Sequence, residues 1–151
     1  MTARRRLRRD ERGQVGGIEG LVFGVLVFVF GTLVVANAWG VVDAKLATTS
    51  AAREAARAYV EAPSQAQAGR DADDAAREAI VAHGRKWERT TLPPVDGFGR
   101  CQRITIEVRY DVPLIAIPLL GQAGSGITVT SRHSEVVDPY RSGLAGAAVC
   151  R

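Results

Sequence analysis

Few side chains in this 151-residue chain have the types and spacing that chemistry needs. His83 and His133 stand 50 positions apart, and neither sits at a recognised ligand spacing from Cys, Asp or Glu, so no zinc-type site is spelled out. The Gly-rich run GQAGSG at 121–126 lacks the Lys-Ser/Thr ending of a phosphate loop, follows a proline-containing stretch and precedes a strand pattern, so it reads as turn chemistry. There is no G-x-S-x-G elbow and no metalloprotease helix. The chain is therefore expected not to be an enzyme, and no cofactor or metal is implied.

Two further groups carry a specific expectation. Cys101 and Cys150 are the only cysteines. If they pair, the bridge closes a loop of roughly 50 residues and stabilises by about 4 kcal/mol in the chain-entropy model; two free thiols are the alternative. Glu19 is the only formally charged residue from Val15 to Val42. A carboxylate there calls for a partner, or else marks the headgroup boundary of a membrane helix.

The element that must hold Glu19 is an apolar helix. Residues 20–36 read GLVFGVLVFVFGTLVVA. Crossing about 30 Å of hydrocarbon takes about 20 helical residues, which 18–38 supply, with Trp39 at the interface. The basic excess lies at one end of this run. Residues 1–14 hold six arginines against Asp10 and Glu11, whereas the remaining fourteen basic and fourteen acidic side chains cancel. Arginines beside a span hold the N-terminus on the cytoplasmic side, and a folded part without net charge argues against nucleic-acid binding.

The chain accordingly divides into a basic cytoplasmic leader (1–14), a transmembrane helix (15–38), a stalk helix (39–62) and an extracytoplasmic α+β domain (63–151). No proline precedes Pro63, so span and stalk read as one helix. Trp39, Val42, Leu46, Thr49, Arg53, Ala56 and Val60 recur at spacings of three and four and predict the stalk's packing seam. A second Ala-rich helix is expected from about 64 to 88, with a stripe of Ala72, Ala75, Ala76, Ala79, Ile80, His83 and Trp87, followed by a turn-rich loop over 90–97. Strict alternation over 102–112 predicts a half-buried strand, and 127–137 a second one. The connection between them carries Leu114, Ile115, Ile117, Leu119 and Leu120, with Pro113 and Pro118 excluding regular structure, so it must pack on the sheet, a partner or the membrane surface.

Within the span, Gly16, Gly20, Gly24 and Gly31 fall within about 80° on a helical wheel, a face on which another membrane helix can approach closely.

An Arg-rich leader, then GQVGGIEG, then an uninterrupted apolar helix resembles the amino-terminal signal of type IV pilins and pseudopilins. Within that group the chain is most similar to the TadE-like proteins of the Tad (Flp) pilus apparatus. ITIEVRYDVPLIAIPLLG and ITVTSRHSEVVD resemble that family's paired strands. The resemblance implies a pseudopilin-like α+β fold and a single-pass membrane protein with its C-terminal domain outside the cytoplasm. It also implies other pilus or assembly-platform membrane proteins as partners, and processing by a prepilin peptidase near Gly13 and Gln14. One departure is visible: a cut that leaves Glu19 fifth falls after Gln14, whereas a cut after Gly13 leaves it sixth. The alternatives are a binding domain secreted after cleavage at Ala36-Asn37-Ala38, and a membrane-anchored structural protein unrelated to pili.

Overall fold

The computed structural model describes residues 12–115, 126–146 and 149–150, with the backbone alone for 12–16. It has an α+β architecture: a long helix α1 (Arg12–Glu61), a second helix α2 (Gln65–Ala82) and a three-stranded antiparallel sheet. A single 3₁₀ turn, Trp87–Arg89, leads into the sheet.

Helix α1 runs 50 residues without a break, about 75 Å at 1.5 Å per residue. Its end is set by Pro63, whose ring disfavours helical geometry at Ala62. The last carbonyls are closed by a distant residue: the Arg141 guanidinium donates to the backbone oxygens of Val60, Glu61 and Ala62. A cation at that end also complements the helix dipole. The same guanidinium lies 5.3 Å from the Phe98 ring centroid, and Phe98 meets Tyr59 edge-on at 5.9 Å.

Helix α2 stops earlier than the sequence pattern predicts. Gly84 adopts φ 69°, and Gly84 N donates to Val81 O while Arg85 N donates to Ile80 O. These two bonds form a Schellman closure, which needs a residue in the left-handed region just past the helix. His83 is thus an exposed cap residue and no member of a buried stripe, and Trp87 belongs to the 3₁₀ turn.

The core corrects the predicted seam. In α1 the buried residues are Ala44, Ala47, Thr48, Ala51, Ala52, Ala55, Ala56 and Tyr59, whereas Trp39, Val42 and Leu46 are 72%, 52% and 60% exposed. Of the seven seam residues, only Ala56 is buried. Close packing explains the exchange. Methyl-sized side chains let α1 approach α2, which contributes Ala68, Ala72, Ala76 and Ile80, and let it lie on the sheet. Larger residues in those positions would hold the layers apart.

Strand β2 (Arg103–Val112) is central, flanked by β1 (Thr90–Thr91) and β3 (Ile127–Val136). The predicted alternation holds in β2: Ile104, Ile106, Val108, Tyr110 and Val112 are buried, and the intervening residues face outward. The two-residue β1 lies inside the stretch expected to be loop, and pairs Thr90 with Tyr110 and Thr91 with Arg109. Along β3 the inner positions start with Val129 and Ser131 and then become His133 and Glu135, so only its first half contributes to the core.

Candidate functional site

The described side chains offer no cluster of three or more potential metal ligands. The buried hydroxyls come closest to a reactive arrangement. Thr48 Oγ1 lies 2.8 Å from Ser131 Oγ, Thr49 Oγ1 lies 3.2 Å from it, and no histidine or carboxylate shares the node. Thr48 and Thr49 also donate back to the Lys45 carbonyl, while the Lys45 ammonium donates to Thr130 O. Hydroxyls satisfied by one another and by backbone fasten α1 to β3, and a serine without a base is not an activated nucleophile.

A groove of about 320 Å³ opens between α2 and the 92–95 segment, lined by Tyr59, Arg70, Asp73, Leu92, Pro94 and Ile106 among others. Burial, then the neighbouring charge of Asp74, pushes the Asp73 carboxyl above its ordinary value. Among the described residues, the lining includes no Ser, Cys or His. Tyr59 turns its hydroxyl away to donate to Val95 O and Gly97 O, and burial raises its pKa.

What stands out physically is the first half of α1. The segment beginning at Gly17 is long and apolar enough to cross a membrane, and its apolar window is not buried against the protein at all. Leu21, Phe23, Leu26 and Phe28 are between 50% and 74% exposed. Such a continuous exposed apolar surface marks a membrane or protein contact. Glu19 is exposed at its start, and no described residue forms an ion pair with it. A Cβ built on Gly20, Gly24 or Gly31 meets no atom within 4 Å, so the face these residues form is open. Gly16, Gly13 and Gln14 lie in the backbone-only part of α1.

The C-terminal domain grips α1 along its second half. Arg85 donates to Gly40 O and to the Asp43 carboxylate, and its guanidinium lies 5.7 Å from the Tyr110 ring centroid, so one partly buried side chain joins α1, the α2 exit and the sheet. The hydrogen bond nearest the apolar half comes from Asn37, which stands in the sequence only as part of a cleavage motif. Its Oδ1 accepts from Ile115 N at 2.8 Å, and its Nδ2 donates to Leu33 O at 2.8 Å and toward Ile115 O at 3.4 Å. An amide inside an apolar helix, four residues above a carbonyl it can reach, was the available signal.

Of the apolar connection, Leu114 is half-buried and Ile115 is 52% exposed, while Ile117, Leu119 and Leu120 lie outside the described residues. At the opposite end of β2, Cys101 and Cys150 form a disulfide. It ties the turn before β2 to the chain's end, beside the bonds from Cys101 N to Val137 O and from Val137 N to Gln102 O. Gly97, ahead of that turn, has φ 95°, and the Gln102 side chain occupies the space a Cβ would need.

No protein-family model, curated protein or solved structure matches this chain.

Proposed function

We propose that the protein is a single-pass membrane component, a minor pseudopilin or accessory protein, of a Tad/Flp-type pilus or related secretion apparatus, acting by assembly and not by catalysis. The observation that carries this reading is the division of one continuous helix into an apolar half that is not buried against any of the described residues and a half clamped to a small α+β domain. In a lipid bilayer the first half satisfies its own backbone and presents Gly20, Gly24 and Gly31 to a neighbouring helix. Glu19 would meet a partner's charge or hydrogen-bond donor at the cytoplasmic boundary, with the six N-terminal arginines keeping that end inside. The domain outside the cytoplasm would select partners.

Release after Ala38 is the less favoured alternative. It would cut α1 between Asn37, which holds Ile115, and Gly40, which accepts from Arg85, and so detach the lower clamp from the domain.

The test is association in a membrane two-hybrid reporter with the neighbouring pilus-assembly proteins as prey. The paired substitution Gly20→Leu and Gly24→Leu is expected to reduce the signal several-fold at unchanged membrane level. An unchanged signal would remove the glycine face from the account, and no signal from the wild type with any assembly protein would remove the pilus assignment.

A further inference from the structure

The two longest charge-free stretches of this chain are residues 20–42 and 112–131. They are distant in sequence, yet the fold sets the described residues of the second, 112–115 and 126–131, beside the first. The Asn37 amide bonds the backbone of Ile115, and a Cβ on Gly40 would lie 3.8 Å from Val112 Cγ1. Val112 pairs with Ile127 as the last pair of the β2–β3 ladder. That end is tightly drawn, because a Cβ on Gly126 would come within 2.4 Å of Val112 O.

Depth follows from helix geometry. About twenty residues cross the hydrocarbon, and twenty counted from Gly20, the first after Glu19, end at Trp39. Asn37, and with it Ile115, therefore sits at or just inside the far hydrocarbon boundary. The first charge above it on α1 is Asp43, six residues or about 9 Å higher, at headgroup level. Elsewhere, Arg85 bonds Asp43, and Asp111 precedes Val112, which lies beside Gly40, and accepts from Thr128 Oγ1 at 2.6 Å. Below that level the described surface is apolar, with Ile115 52% and Ile127 44% exposed. Uncharged apolar side chains fixed at this depth gain by leaving water for the acyl region, whereas a charged rim stays in the headgroups.

We propose that the lower end of the β2–β3 ladder, presented by Leu114, Ile115 and Ile127, is a second membrane contact that seats the domain on the outer face of the bilayer. This rests on the reading of α1 as a span. Seated at two points, the domain would keep a fixed tilt and height relative to its helix, in place of swinging on a stalk.

The experiment uses the full chain in phosphatidylcholine and phosphatidylglycerol vesicles, with the native disulfide intact. Nitroxides are attached at Ile115→Cys, Ile127→Cys, Val29→Cys in the apolar helix and Val81→Cys on the exposed side of α2, and collision with oxygen and with a water-soluble nickel chelate is measured. The ratio of oxygen to nickel collision at 115 and 127 is expected to be several-fold above that at 81, approaching that at 29. A ratio at 115 and 127 equal to that at 81, with 29 still lipid-like, overturns the second contact and leaves the span intact. Water-like values at all four sites overturn the span and this inference together. Low collision with both reagents at 115 and 127 means that protein covers this end, and overturns the lipid assignment. Ile115 meets Asn37 through its backbone, so its substitution leaves the clamp in place, and the label at Ile127 provides an independent reading.

Discussion

The two halves of α1 are built from similar helix-forming material and have opposite fates. Between Leu21 and Val35 the side chains are mostly large and apolar and none is buried, and the first bond to the domain is made only at Asn37. From Ala44 to Ala62 the buried side chains are mostly methyl-sized, and they form one wall of the core. Hydrophobicity alone does not decide which part of a helix belongs to a fold. Side-chain size does, because a helix can sit closely on a second helix and a sheet only where its own side chains are short. The bulky half is exposed, and it is long and apolar enough to cross a membrane.

Changes confined to the clamped half should unfold the domain, while equal changes in the apolar half should not. The largest expected effect is reduction of the Cys101–Cys150 bridge, with a sequence separation of 49, which should cost about 4 kcal/mol by loss of the constraint on the unfolded chain. Denaturant unfolding of the detergent-solubilised protein, with and without reductant, measures it. Next, Ile104→Ala empties a buried site in the sheet and should cost about 3 kcal/mol, whereas Val27→Ala, on the exposed apolar helix, should leave the same transition unmoved. A comparable loss from both would show that the apolar helix and the domain are not independent. Ala51→Leu should cost about 2 kcal/mol by forcing α1 off its neighbours, while Leu46→Ala, in the seam expected from sequence, should cost the domain little.

The smallest effect is a pH dependence on the outer face of the sheet. Glu107 accepts from Arg132 and Arg109, and these bonds hold its carboxyl below the ordinary value of 4.5. A carboxyl with a lowered folded pKa contributes fully above its unfolded pKa and loses that contribution as pH falls through the folded value. Wild type should therefore be slightly more stable than Glu107→Gln at neutral pH, and the gap should close below about pH 4.5. A gap that persisted at pH 2 would show that the carboxylate is not its source.

Much of this was legible in the residues. Pro63 marked the end of the long helix, the alternation in Gln102–Val112 marked the central strand, and residues 20–36 marked the apolar run. The core face was misread because larger residues recur at helical spacing on the opposite side of α1, although Ala44, Ala47, Ala51 and Ala55 show the same spacing. Gly84 was a stop signal overlooked amid Ala-rich helical pattern, and β1 exists only through its pairing with β2, which no local pattern records. The Asn37 contact with Ile115 joins positions 78 residues apart and needed the fold to be seen.

The central claim, that residues 17–38 remain attached and hold the domain at a membrane, is tested most directly by N-terminal sequencing and intact mass of the native protein from membrane and soluble fractions. The account predicts a membrane-bound chain that retains α1, beginning at Gln14 or Val15 if a prepilin peptidase acts and at the leader if it does not. A soluble chain beginning at Trp39 would contradict it, because the domain would then exist without the helix that anchors it.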